Sequence, residues 1–324
     1  MRVFMVGATG TIGRATARAL VRHGHEVVCF VRSRPGTDAA APFPSAATQI
    51  TVRTGDVTAS ASLLRDGFQG QRFDALVSCL ASRTGAPKDA WAIDYQAQLN
   101  VLNAASAAGV QHVVLLSAIC VQKPQLAFQQ AKLAFEKELV ASGLNYSIVR
   151  ATAFFKSLSG QVERVKGGKP FLIFGDGDLT ACKPISDDDL GDYLAGCLNE
   201  PSRHRRTLPI GGPGEAITPR QQGEALFALL GRPPRFRKVP VALLNVIIGV
   251  LATLGRVLPP LAAKAELARI GRYYATESLL VWDASAGRYN AAATPSHGTQ
   301  TLADHYRALL SGQAQNERGE HAVF

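Results

Sequence analysis

Arg2-Val-Phe-Met-Val-Gly-Ala-Thr-Gly-Thr-Ile-Gly-Arg14 decides the fold. The apolar run Val3 to Val6 reads as a buried strand. It leads directly into Gly7-x-x-Gly10-x-x-Gly13, and an alanine- and leucine-rich helical stretch follows from Thr11 to about His23. Strand, glycine turn and helix start, in that order, aim backbone N–H groups and a helix dipole at a pyrophosphate. The glycines divide the work between a tight turn, close approach of backbone to phosphate, and close packing of helix on strand. Gly7, Ala8, Thr9, Gly10, Thr11, Ile12 and Gly13 are therefore the expected dinucleotide loop.

The second strand, Glu26 to Val31, ends in Arg32-Ser33-Arg34. An NAD site usually places an acid at this strand end for the ribose 2′-hydroxyl, and here the chain offers guanidinium. Arginine matches a phosphate with a planar fork of donors. NADPH is the expected cofactor, with Arg32 as the main 2′-phosphate ligand and Arg14 or Arg34 as helpers.

The first half alternates strand and helix. Strands are predicted near 2–6, 26–31, 49–53, 74–79, 111–116 and 145–149, with helices near 11–23, 60–66, 88–108 and 125–142. Such alternation predicts an α/β fold, a doubly wound parallel sheet of Rossmann type. Trp91, Tyr95, Leu99 and Leu102 fall at helical spacing and read as core, and Gly109 reads as a helix C-cap. After residue 150 glycine and proline become frequent, and helices return near 187–199, 219–230, 241–255 and 260–270. Thr218-Pro219-Arg220-Gln221 reads as a helix start. The expected organisation is an NADP-binding Rossmann domain over 1–150 and a smaller, mostly helical substrate region over 151–324, packed on the first.

Composition narrows the partners. The chain has 324 residues and Lys+Arg 35 against Asp+Glu 25, a net charge of +10 that favours anionic partners. No basic stripe interleaved with aromatics is present, so nucleic acid is not expected. Cys29, Cys79, Cys120, Cys182 and Cys197 are widely spaced and form no C-x-x-C pair, which reads as reduced thiols in a cytoplasmic protein. No metal-ligand spacing appears; Asp187, Asp188 and Asp189 follow Ser186 at a helix start, where acids complement the dipole. The first strand begins almost at Met1, so no signal peptide is expected. Val241 to Gly255 is apolar all round yet shorter than the roughly 20 residues that span a bilayer. It reads as a buried helix, a wall for a large flat ligand, or a surface in peripheral contact with a membrane.

Asp56-Val57 after the third strand, together with the glycine loop, resembles the short-chain dehydrogenase/reductase superfamily. The resemblance implies that Asp56 and Val57 border the adenine, and that Ser117 and Lys132 take the superfamily's catalytic serine and lysine positions. The tyrosine position, four before the lysine, is Phe128. A phenol protonates a carbonyl oxygen in ordinary alcohol chemistry, and phenylalanine cannot.

Longer motifs narrow the resemblance. They are Val77–Arg83, Leu115–Pro124, Ala151–Ser157, Phe174–Gly177, Ala181–Ser186, Leu208–Gly214 and Ile270–Ser278. Together they resemble the NADPH-dependent 8-vinyl reductases of chlorophyll and bacteriochlorophyll biosynthesis, an atypical branch of that superfamily. A departure is Ala151, where the family pattern has proline. The resemblance implies a tetrapyrrole substrate, (proto)chlorophyllide, whose 8-vinyl group is reduced to ethyl, in a cytoplasmic protein or one peripheral to the photosynthetic membrane. It also implies that Leu80, Ala81, Ala151, Ala153 and Phe154 border the cofactor and that Lys132 binds its ribose. Phe128, Phe155 and Tyr273 are implied substrate contacts, Tyr274 a catalytic group, and Lys156, Lys183 or Arg272 the partner of the substrate carboxylate. The alternatives are a non-catalytic NADP-binding regulatory module and a reductase of another conjugated alkene.

Overall fold

Phe4 and Met5 leave β1 (Arg2–Val6) on opposite sides, and both are wholly buried, so this strand is covered on both faces. A computed structural model describes residues 1–32, 43 and 49–314, apart from the side chains of residues 259 and 260. Arg34 lies outside the described residues. Strands β2 (Glu26–Arg32), β3 (Ile50–Gly55), β4 (Ala75–Ser78), β5 (His112–Ala118) and β6 (Asn145–Ala151) alternate with helices, as the sequence predicts. Those helices are α1 (Thr11–Arg22), α2 (Ser60–Ser62), α3 (Pro87–Ala90), α4 (Gln98–Ala107) and α5 (Ala127–Ala141).

The second half adds α6 (Phe155–Leu158), α7 (Val162–Lys166), β7 (Phe171–Phe174), α8 (Asp187–Gly196), β8 (Arg206–Ile210), α9 (Pro219–Leu229) and β9 (Phe236–Val239). The helical hairpin α10 (Val241–Leu254) and α11 (Pro259–Thr276) follows, then β10 (Val281–Asp283), β11 (Arg288–Asn290) and α12 (Leu302–Leu310). Thr218 caps α9 in a reciprocal capping box with Gln221, as its sequence predicts.

The main sheet has seven parallel strands in the order β3-β2-β1-β4-β5-β6-β8. The order reverses between β1 and β4, which opens a crevice at their carboxyl ends. β8 comes from residues 206–210, and α8 packs on α1, so the change of pattern at residue 150 is not the end of the sheet layer. One core lies between the sheet and the α1/α8 face, with Met5, Val77 and Leu190; the other holds Phe4, Phe30, Phe68 and Phe135. A separate cluster of Phe155, Phe171, Ile173, Phe227 and Tyr306 builds the C-terminal region.

The helix before α4 departs from the expected spacing. Trp91 to Ala97 forms a π-helical stretch, and the buried face becomes Asp94, Ala97, Gln98, Val101 and Leu102. Trp91 is 43% exposed and Tyr95 only half-buried, because the wider turn rotates them off the core. Burial accounts for the thiols: all five are free, and it pushes Cys29, Cys79 and Cys182 up to about 12, leaving them protonated and inert.

Gly191 sets the contact between α8 and α1. A Cβ there would stand 2.7 Å from the Ala15 carbonyl carbon and 2.8 Å from the Thr16 nitrogen. Gly191→Ala is expected to force the helices apart and cost about 1–3 kcal/mol, read as a lower thermal midpoint.

Candidate functional site

The glycine loop is shaped by two contacts and left open at a third. Gly7 has φ +75°, and a Cβ on it would lie 2.4 Å from the Cys79 carbonyl carbon; one on Gly13 would lie 2.1 Å from the Gly7 oxygen. Gly10 has φ −70°, an ordinary value, and a Cβ on it would meet only the Gly7 oxygen, at 3.6 Å. Packing thus explains glycine at 7 and 13, whereas the space beside Gly10 fits a ligand that approaches the backbone. α1 starts there without a side-chain cap or an acid in its first turn, so its leading N–H groups suit an external anion.

Lys156 sits at this same helix end. Its Nζ donates to Thr11 Oγ1 at 2.7 Å. A cation beside the positive end of a helix is unfavourable unless an anion joins them. The sequence placed Lys156 among the substrate contacts; the geometry puts its ammonium on Thr11, in the dinucleotide loop. Arg14 folds back onto the Thr9 carbonyl at 3.1 Å.

Arg32 is exposed at the end of β2, opposite Gly55. Asp56 follows, and its Oδ1 accepts from the Thr58 nitrogen and hydroxyl at 2.8 and 2.7 Å, which holds its carboxyl below the usual range, with a smaller contribution from Arg32. Val57 packs on the core behind it. Leu80 is half-buried and Ala81 exposed beyond β4. Ala151 and Ala153 are buried at the end of β6, with Phe154 half-buried beside them.

Lys132 has a partner that the sequence did not reveal. Its Nζ lies 2.9 Å from Oδ1 of the fully buried Asp94, which also accepts from the Ser82 nitrogen at 3.2 Å. The Lys132 charge is felt by Cys79 and Cys120, in the segments that follow β4 and β5. Asp94 Oδ2 is buried with no hydrogen-bond partner among the described residues. Only a polar residue inside an apolar helical stretch signals Asp94 in the sequence.

Several expected contacts are turned inward. Ser117 is buried and donates to Glu136 Oε1 at 2.6 Å, and Glu136 in turn pairs with Arg150 at 2.5 Å, so the hydroxyl ties α5 to β5 and the ion pair ties it to β6. Lys183 is buried, and its Nζ donates to the Thr294 carbonyl and Ser296 hydroxyl at 3.1 and 3.2 Å, which removes it as a substrate cation. Phe155 is core of the C-terminal region rather than a substrate wall. Tyr273 is 2% exposed, and its hydroxyl donates to the Cys120 carbonyl at 2.9 Å, tying α11 to the loop after β5.

Phe128 and Tyr274 remain near the crevice. Phe128, half-buried in the first turn of α5, packs with Ile270 over Gly85. Tyr274 is 38% exposed, and its hydroxyl meets the Cys120 thiol; burial first, then the thiol, push the phenol well above its ordinary value. Arg272, one turn from Thr276 on α11, has a buried Nε with no hydrogen-bond partner among the described residues.

A sequence-family model described as NAD(P)H-binding matches residues 7–201. The chain is 48% identical to the chloroplastic divinyl chlorophyllide a 8-vinyl-reductase of Oryza sativa subsp. indica, over 99% of this chain and 82% of that protein. It is 46% identical to the counterpart in Arabidopsis thaliana, over 99% and 79%. A crystal structure of an NADPH-dependent quinone oxidoreductase from Escherichia coli shares the fold, with a TM-score of 0.69 and 20% identity over 95% of this chain and 99% of that one. The glycine cradle and this near-full-length likeness agree: the chain belongs to the divinyl chlorophyllide a 8-vinyl-reductase family, within the NAD(P)H-binding proteins.

Proposed function

We propose that this chain uses NADPH to reduce the 8-vinyl group of a divinyl chlorophyllide or protochlorophyllide to ethyl. The likeness to the plant 8-vinyl reductases over nearly the whole chain carries this reading. NADPH, when bound, supplies a hydride to the terminal carbon of the vinyl group. The inner carbon takes a proton, and the conjugated macrocycle spreads the charge that develops meanwhile. No alkoxide forms, so Phe128 can stand where carbonyl chemistry requires a phenol.

The chain's own residues then have mainly positioning to do. Gly10 and the first turn of α1, with Lys156, hold the diphosphate, and Arg32 holds the 2′-phosphate. Lys132, fixed by Asp94, orients the ribose, and the backbone from Ala151 to Phe154 borders the nicotinamide. Phe128 and Ile270 keep water from the reacting carbons. The Tyr274 hydroxyl, raised well above its ordinary value, stays protonated across the neutral range and is the candidate proton donor. Of the three cations considered for the substrate carboxylate, Lys183 is committed to Thr294 and Ser296 and Lys156 to the helix end, which leaves Arg272. The missing tyrosine favours one rival, a non-catalytic NADP-binding module.

Turnover separates the two. Anaerobic incubation with NADPH and divinyl chlorophyllide a should yield a product about two mass units heavier with a blue-shifted Soret band. Tight NADPH binding without product would favour the binding module. Arg32→Ala is expected to raise the KM for NADPH roughly 10- to 100-fold while leaving that for NADH nearly unchanged, since charge-assisted phosphate hydrogen bonds are lost. Arg272→Gln should raise the KM for the free acid about tenfold and spare the methyl ester, as checked by steady-state kinetics on both.

A further inference from the structure

The hairpin of α10 and α11 presents an apolar face that no other described residue covers. α10 has no buried residue. Its half-buried positions, Leu244, Ile248, Leu251 and Gly255, recur at helical spacing, and a Cβ on Gly255 would stand 2.7 Å from the Ala262 nitrogen, so this stripe faces α11. The opposite stripe is Leu243 (47% exposed), Val246 (62%), Ile247, Val250 (53%) and Leu254, and the hairpin tip adds Val257, 82% exposed. A soluble helix normally turns charged residues outward, and this one carries no charge at all.

The charges stand around it. Residues 232–276 contain eight Lys or Arg (Arg232, Arg235, Arg237, Lys238, Arg256, Lys264, Arg269, Arg272) and one acid, Glu266, which pairs with Arg269. Arg237, Lys238, Arg256 and Lys264 are exposed, immediately before α10, immediately after it and on α11. No helix among the described residues is long and apolar enough to cross a membrane. An apolar stripe about four turns long with a basic surround suits a helix lying in a lipid interface.

We propose that the outer face of this hairpin docks in the interface of an anionic bilayer, with Leu243, Val246, Ile247, Val250 and Leu254 among the acyl chains and the flanking cations at the headgroups. The proposal stands on exposure and charge and does not need the reductase reading. The same hairpin closes the crevice, because α11 carries Ile270 against Phe128 and Tyr273 onto Cys120. An amphiphilic ligand would therefore enter from the lipid side.

Flotation of the full chain with vesicles tests this. The chain should float with phosphatidylcholine–phosphatidylglycerol vesicles at low salt, and much less with phosphatidylcholine alone. The double variant Val246→Glu, Val250→Glu should lower the bound fraction about tenfold or more, since two apolar anchors become acids. Its NADPH affinity and melting should stay unchanged, as both positions are exposed. Leu243→Gln is the milder variant, expected to weaken binding in the same direction. The proposal is overturned if the chain stays unbound with both vesicle types, binds them equally, or tolerates the acidic variants. It is equally overturned if light scattering shows a dimer that these substitutions dissociate, because a second copy would then cover the face.

Discussion

Everything at the crevice depends on how near the backbone of α1 comes to β1 and β4. An ideal Cβ at Gly13 would fall 2.1 Å from the Gly7 oxygen, and one at Gly7 would fall 2.4 Å from the Cys79 carbonyl carbon. These approaches bring three backbone segments together with no side chain between them. The helix end is thereby fixed relative to the strand tips, and its N–H groups are aimed before any ligand arrives. Gly191 repeats the device one layer out, where α8 meets α1. A rigid frame of this kind lets binding proceed without the cost of ordering the donors.

The cations show how the same residue type serves different ends. A buried charge is costly unless it is paired and hydrogen-bonded. Lys132 meets that condition through Asp94, whose second oxygen has no partner among the described residues. Lys183 is hydrogen-bonded instead by two neutral oxygens and becomes a strut between the strand-end loop and the segment near Thr294. Lys156 is held by the Thr11 hydroxyl, at the positive end of α1. The electrostatic deficit at Lys156 is what an anion on the glycine loop would remove.

The sheet was legible because strands covered on both faces must be nearly continuous apolar runs, and β1, β2, β4 and β5 are. The glycine loop was legible because its spacing reflects contacts along a short stretch of chain. Asp94 was not, because a π-helical stretch changes which side chains face inward, and a fixed 3.6-residue period assigns that face to Trp91 and Tyr95. Lys183 and Tyr273 were misplaced for another reason. Their partners, Thr294 and Cys120, lie 111 and 153 residues away, and spacing carries no information about such contacts. The strand β8 was hidden by its basic start, Arg206, and by Pro209, which the sheet edge tolerates.

Phe128 and the α10–α11 hairpin are best understood together. Phe128 meets the hairpin at Ile270, over Gly85. Gly85 has φ +67°, and a Cβ on it would press to 2.9 Å from Ile270 Cδ1, so glycine at that turn is what lets α11 settle over the phenylalanine. Tyr273 then fastens the same helix to the Cys120 carbonyl. The apolar residue at the phenol position and the apolar face of α11 above it thus form one apolar surface. Such a surface disfavours an alkoxide, whose charge is localised and needs donors. It suits a conjugated alkene, whose developing charge is spread over its own π-system.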